Sequence, residues 1–426
     1  NPALVVAIPT QVRHWEKHLH RLAPGLKVLV LAGGDRRSMA ERLKDYDVIV
    51  TNWEKVPKDI EWLSKQRFSA SIWDETEKIH NHQTNVAKAV RLLNVGYAIA
   101  LNGSPLENTY GDVWSVLDAV LHGYLGSEAL FKRSFRIPIE ENQSVEKLRQ
   151  LRKRLAPFML RRLKKDSGVS LPPVQHEDVA LRIKGAQANL YEAIRITTEE
   201  KVKEAMAGGM EGTKKGRILA ILTRLRQVCC DPRLTDMGRD RKIKESAKMD
   251  WIERTVPAMV KEGRRVLLVC YFSEMFDLIG PVLDRHGVPY SMIRQGVNNR
   301  EAQKEAFKEG RTKVFLLGLK SGGRGTDLPE ADTVVHVDPW WNPKAHDQAT
   351  DRAHRMGQQN TVLNLRLFIE GSFEERVMEI QERKRLFADS LDDETVLDES
   401  KITEEDVREM LRPLQETADD DEDMAA

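Results

Sequence analysis

Two clusters in this 426-residue chain have residue types and spacing suited to chemistry on a phosphate. The first is Asp74-Glu75, which follows the apolar run Ser71-Ile72-Trp73 and is expected at a strand tip. There one carboxylate can hold Mg²⁺, directly or through water, while its neighbour polarises an attacking water. The second is Gln348, Arg352 and Arg355, which a helix starting near Lys344 would place on one face. Arginine stays charged and grips phosphate with a planar fork, so a pair of them suits a transferring phosphoryl group. Each cluster also has a plainer reading. An Asp-Glu pair after a strand is commonly a surface turn or helix cap, and a lone Arg-x-x-Arg is commonly a solvated face.

The elements that must position these residues follow from apolar periodicity. From residue 1 to about 122, short β-branched runs at Leu4–Ile8, Val28–Leu31, Val48–Val50, Ala70–Trp73 and Tyr97–Leu101 alternate with amphipathic stretches such as Val12–Leu22 and Met39–Lys44. That alternation predicts a parallel α/β sheet. Chemistry in such sheets gathers beyond the carboxyl ends of the strands. Pro9-Thr10, Thr51-Asn52, Asp74-Glu75 and Asn102-Gly103-Ser104 all fall there. A second α/β unit starts near Lys248, with strands at Val266–Cys270, Tyr290–Ile293, Val314–Leu317, Thr333–Val337 and Val362–Leu367. Its loop Gly318–Asp327 is rich enough in glycine for backbone amides to cradle an anion, and Lys320 and Arg324 add positive charge.

Between the two units, long helical, strongly charged segments run from about 123 to 245. The run Lys147–Lys165 holds nine Lys/Arg, with leucines at helical spacing, so one side should bury while the basic residues face out. Such a face can contact nucleic-acid phosphates or be a plain solvated surface. Leu171-Pro172-Pro173 breaks the helix, and Gly208, Gly209, Gly212 and Gly216 mark a loop expected to be mobile. The near-zero net charge conceals an asymmetry: residues 391–426 carry 15 Asp/Glu against 3 Lys/Arg, leaving 64 basic and 51 acidic residues in the first 390. A basic body with an acidic tail fits a polyanionic partner. The tail ends in Asp419–Asp423, too charged to pack, and is expected to be disordered. Cys229, Cys230 and Cys270 form neither a disulfide framework nor a zinc spacing, which points to packing. His80-x-His82 could ligate a metal but lacks a third ligand. No signal peptide or membrane-length apolar run occurs, and with the cysteine usage this leads to the expectation of a reducing, intracellular setting and no membrane partner.

Together these segments resemble the Swi/Snf (Snf-two) family of superfamily-two DNA translocases, including its bacterial members, over nearly all of residues 3–388. Val5–Glu16 and Asp47–Thr51 are similar to motifs Ia and Ib, and Asp74-Glu75 to the start of the Asp-Glu-x-His box. Asn102–Asn108 resembles motif III, Leu225–Cys229 the helical insert, Val266–Phe272 motif IV and Gly318–Leu328 motif V. The most diagnostic segment is Asp338–Gln358, which resembles the arginine-bearing motif VI. Departures are Glu77 in place of the box histidine, Ile79-His80-Asn81 for Ile-Lys-Asn, Asn102 and Ser104 for threonines, and Arg324, Thr326 and Asp327 in motif V.

The resemblance implies two RecA-like parallel-sheet lobes with helical insertions and ATP bound in the cleft between them. It divides the chain into lobe 1 (1–122), helical protrusions and linker (123–245), lobe 2 (246–388) and an acidic tail (389–426). Asp74 would hold Mg²⁺, Glu75 would orient the hydrolytic water, and Arg352 and Arg355 would reach the γ-phosphate. Gln348, Gly323, Gly325, Asp327, Gly103 and Ser104 would bind or couple to ATP. Pro9, Thr10, Thr51, Lys320, Ser321 and Gly322 would contact the phosphate backbone of double-stranded DNA. The implied protein is a monomeric, ATP-dependent double-stranded DNA translocase, a DNA-dependent ATPase that is cytoplasmic (bacterial nucleoid), or nuclear if eukaryotic, and displaces or remodels DNA-bound protein such as RNA polymerase or a nucleosome. A non-hydrolysing DNA-binding scaffold and a strand-separating helicase are the alternatives. No Gly-x-x-x-x-Gly-Lys-Ser/Thr segment occurs in the 426 residues. In the family that loop precedes the strand with which this chain opens, so the chain is expected to be an N-terminally truncated piece, inactive alone, of a longer active protein.

Overall fold

The opening run Ala3–Ala7 (β1) is apolar at every position, the pattern of a strand covered on both faces of a parallel sheet. It lies at the centre of a sheet with β2 (Val28–Val30), β3 (Val48–Asn52), β4 (Arg67–Asp74) and β5 (Asn94–Leu101), in the order β2-β3-β1-β4-β5. Every pairing is parallel. Leu4 and Val6 join one core with Trp53, Leu63, Phe68 and Trp73. Val5 faces the other way, with Val48 and Val50, against Val12, Trp15 and Leu19 of the helix Pro9–Leu22. That helix begins earlier than the expected Val12, because Pro9 at its first turn has the required φ and no N–H to leave unsatisfied. The computed structural model describes residues 1–31, 33, 36–103, 109–140, 142, 144–160, 170–206, 213–294, 299–319, 326–339, 343–390 and 404–414.

The chain divides into two compact units, Asn1–Leu163 and Lys164–Ala426. The first unit adds a helical layer to its sheet. Thr109 and Asp112 form a reciprocal capping box at the start of the helix Tyr110–Val120. Tyr110, Trp114, Phe131, Phe135 and Leu151 then build a separate core. The basic helix spans Val145–Leu155, buries Leu148, Leu151 and Leu155, and leaves Arg149, Arg152, Lys153 and Arg154 exposed. It stops short of Pro157 rather than running on to Lys165.

The second unit holds six parallel strands: β6 (Val174–Leu181), β7 (Val266–Cys270), β8 (Tyr290–Ile293), β9 (Val314–Gly318), β10 (Thr333–His336) and β11 (Val362–Ile369), ordered β6-β11-β10-β7-β9-β8. β6 is an addition to the expected set. It reads Val-Gln-His-Glu-Asp-Val-Ala-Leu and is mostly exposed, so it lacks the apolar signal of its neighbours. As an edge strand its charges serve it: Asp178 takes a two-pronged bond from Arg366 of β11 at 2.6 and 2.7 Å. The helices Gly185–Met206, Thr213–Cys230 and Phe373–Ser390 share a further core. Within the acidic tail a short helix, Glu404–Met410, drives Val407 and Met410 into that core. Asp419–Asp423 lies outside the described residues. Among the described residues no helix is long and apolar enough to cross a membrane.

Candidate functional site

In the first unit, strand register aligns the residues singled out above. Ala7 of β1 pairs with Asn52, Val6 with Thr51 and Trp73, and Asp74 with Leu101, so Pro9, Asp74-Glu75 and Asn102-Gly103 gather beyond one end of the sheet, whereas Thr51 lies within β3. Asp74 is the last residue of β4, and two indoles grip it. Trp15 Nε1 donates to its Oδ2 at 2.9 Å, and Trp53 Nε1 donates to its backbone carbonyl at 2.7 Å. Glu75 then turns the chain in left-handed backbone (φ 56°, ψ 61°), a conformation costing a non-glycine residue about 1–2 kcal/mol. Strain of this kind is kept where surrounding packing dictates a side-chain direction.

Asp74 fits a divalent cation. Carboxylate oxygen is a hard donor of the kind Mg²⁺ prefers, the indole fixes one oxygen, and among the described residues no lysine or arginine forms an ion pair with it. The segment after Glu75 is anchored as well. Thr76 Oγ1 donates to the Leu101 carbonyl at 3.5 Å, and Ser115 Oγ donates to that of Ile79 at 2.6 Å. His80 lies beside Asn102 and Asp112, whereas His82 lies 3.2 Å from Glu128 and stacks edge-on against Trp114. The two histidines therefore diverge, and among the described residues no three metal-capable side chains converge.

In the second unit the expectation of one helical face is corrected. The helix runs Pro343–Thr350 and carries Gln348, but Arg352 and Arg355 lie in the turns that follow. Three contacts end it. Thr350 Oγ1 bonds back to the His346 carbonyl and to Asn364 of β11, Leu328 N–H takes the Arg352 carbonyl, and Gln358 Nε2 donates to the carbonyls of Ala331 and Ala353. Both arginines are thereby brought against one short stretch. Arg352 Nη1 donates to the Thr326 carbonyl at 3.2 Å, and Arg355 forms an ion pair with Asp327.

The strand ends beneath this segment hold a buried ionic network that sequence reasoning missed. Asp338 Oδ1 accepts from Tyr271 N–H at 2.8 Å, and its Oδ2 accepts from Arg226 Nη2 at 3.1 Å. The Arg226 guanidinium also lies over the rings of Tyr271 and Phe272. Arg226 belongs to Leu225–Cys229, so its position was noticed without its role. Burial pushes the thiols of Cys229, Cys230 and Cys270 well up, which leaves them as packing groups.

Two buried histidines complete the support. His336 of β10 stacks on His346 with ring centroids 4.5 Å apart and lies 3.1 Å from Thr350 Oγ1. Burial lowers His336 to about 3 and His346 well below its ordinary value, while burial raises Asp338 to about 6 against the opposing pull of Arg226. In the unfolded chain both imidazoles take up protons near pH 6.5, and in the folded unit they do not. Stability from these histidines is therefore full above pH 6.5 and falls as pH drops toward 3. Asp338 acts oppositely between about 6 and its unfolded value of 3.8, where only the folded state holds its proton. His336→Gln is expected to flatten the stability profile of the second unit by about 1.4 kcal/mol per pH unit between pH 6 and 4, read by urea denaturation. An unchanged slope would contradict the assignment.

The remaining predicted residues divide clearly. Pro9 is exposed, Thr10 is half-buried, and among the described residues nothing lies within 4 Å of where a Cβ on Gly103 would stand. Thr51 is buried, and its Oγ1 has no hydrogen-bond partner among the described residues, so the hydroxyl is not presented to solvent. Ser104, Lys320, Ser321, Gly322, Gly323 and Gly325 lie outside the described residues.

Residues 1–234 match the model of the SNF2-related domain, and residues 247–357 that of the helicase conserved C-terminal domain. YwqA of Bacillus subtilis is 30% identical over 424 residues, covering 96% of this chain and 45% of YwqA. The ISWI chromatin-remodeling complex ATPase CHR11 of Arabidopsis thaliana is 31% identical over 421 residues, covering 95% of this chain and 39% of its own length. A solved Sulfolobus solfataricus SWI2/SNF2 ATPase core in complex with dsDNA is 29% identical, with a TM-score of 0.46 over 96% of this chain and 86% of that one. The chain spans less than half the length of these two curated relatives.

Proposed function

The chain belongs to the SNF2-related family, and on that footing we propose that the protein carrying it is an ATP-driven translocase on double-stranded DNA. The observation that carries the reading is Asp74-Glu75, fixed at a strand tip by two indoles within the segment that matches the family. Asp74 would hold Mg²⁺, which would supply positive charge to offset that on the transferring phosphate. Glu75 orients the attacking water, and Arg352 and Arg355 supply positive charge to a γ-phosphate. The reading requires a glycine-lysine phosphate loop, which these 426 residues do not contain.

Duplex binding is assigned to the phosphate backbone. The exposed Arg149, Arg152, Lys153 and Arg154 offer a basic face, and Pro9, Thr10 and Gly103 lie at the same end of the sheet as the acid pair. Contacts of this type bind with little sequence preference and weaken steeply with salt. The work done is the displacement or remodelling of protein bound to the duplex, in keeping with the chromatin-remodeling ATPase among the relatives.

The test is a pair of assays on the complete protein. ATP hydrolysis is expected to rise with duplex DNA more than with single strands, with no strand displacement from a forked substrate. Efficient unwinding would make the protein a helicase instead. Duplex binding without hydrolysis would make it a scaffold.

A further inference from the structure

We propose that His80 is a positioning residue that sets the root of the loop after β5 relative to the acid pair. The inference rests on the hydrolytic reading above and adds a residue to it. His80 closes the segment that begins at Glu75, and its side chain is 9% exposed. Asp112 Oδ2 lies 3.5 Å from its Nδ1, and Asn102 Nδ2 lies 3.2 Å from its Nε2. Asp112 is a carboxylate and can only accept, so it selects the tautomer with the proton on Nδ1. Nε2 is then an acceptor, and the Asn102 amide donates to it.

The partners give this contact its meaning. Asp112 is itself held by the capping box with Thr109, whose N–H reaches Oδ2 at 3.2 Å, so it is a fixed point on the helix Tyr110–Val120. Asn102 is the first residue after β5 and immediately precedes Gly103. Thr76 holds the other end of the segment to the Leu101 carbonyl. The stretch from Glu75 to His80 is thereby tied at both ends to the exit of β5, and a displacement at Glu75 is passed to Asn102 through a ring rather than through solvent. A buried histidine could instead serve packing alone, but a packing role does not require an acceptor at Nε2.

Three substitutions in the complete protein separate these roles. His80→Gln places an amide oxygen near the Nε2 position and keeps the acceptor toward Asn102. His80→Asn keeps the donor toward Asp112 but does not reach Asn102. His80→Ala removes both. With duplex DNA present, His80→Ala and His80→Asn are expected to lower kcat by about 10-fold to 10²-fold, as misplacement of a reacting geometry does. KM for ATP should stay within about threefold, and His80→Gln should recover most of kcat. The thermal transition and duplex binding of each variant report folding. Wild-type kcat in His80→Asn, or a Gln variant as slow as the Ala variant, overturns the proposal and leaves the hydrolytic reading standing. No hydrolysis in the wild type overturns both.

Discussion

Replacing Arg355 with alanine in the complete protein is expected to lower duplex-stimulated ATP hydrolysis by about 10³–10⁵, equivalent to about 4–7 kcal/mol of barrier. The size follows from where charge develops. A transferring phosphoryl group spreads negative charge over its outer oxygens, and a guanidinium placed there stabilises the transition state more than bound ATP. Arg355 is suited to this by its setting: it is paired with Asp327 but remains 40% exposed, so it is tethered without being sealed off. Arg352, fixed by the Thr326 carbonyl, stands three residues before it and should give a loss of the same kind. Arg355→Lys keeps the charge and loses the planar fork, so it should recover only part of the rate. Affinity for ATP should change far less than kcat. A rate within about threefold of wild type in Arg355→Ala would remove the arginine from the chemistry.

The second large effect concerns stability. Lys248 is fully buried, and its ammonium donates to the Val337 carbonyl and to Glu374 Oε1, both at 2.7 Å. Glu374 Oε2 accepts the Ile369 N–H at 3.0 Å. Burial pushes the Lys248 ammonium down, but Glu374 together with the nearby Cys230 and Cys229 gives a net upward shift. Burial also raises Glu374 against the pull of Lys248, and the two 2.7 Å bonds from the ammonium favour the ionised pair. Lys248→Ala strands a carboxylate in the core, and the second unit should lose about 3–5 kcal/mol. Lys248→Met combined with Glu374→Leu removes both charges together and should fall within about 1 kcal/mol of wild type or above it, because the desolvation penalty goes with them. Urea denaturation of the two variants checks both values. A single variant as stable as the double would show that the charges do not depend on each other.

Of the residues in these two predictions, Arg355 is legible in the sequence and the Lys248–Glu374 pair is not. The central strands announce themselves, since β1, β7 and β9 are unbroken apolar runs covered on both faces. Asp74-Glu75 could be placed because it follows such a run. β6 was missed for the converse reason: an edge strand held by Asp178 and Arg366 has the polarity of a loop. Spacing alone carries the helix through Arg352 because it reports where a face could be, while the turn that replaces it is held by Leu328 and Asn364, which lie further along the sequence in either direction. The same limit hid Trp15, 59 residues from the carboxylate it holds, and Lys248, 126 residues from Glu374. Spacing finds partners on one element; contacts between elements need the fold.

The central claim is that Asp74-Glu75 and the two arginines are each needed for an ATP hydrolysis that answers to duplex DNA. The most direct measurement is the rate of phosphate release from ATP by the complete protein, with and without duplex, in the wild type and in Arg355→Ala. The account predicts a wild-type rate that duplex DNA raises about tenfold or more and a variant that binds the duplex yet releases almost no phosphate with it. A wild-type rate indifferent to duplex DNA, or a variant stimulated as fully as the wild type, would contradict it.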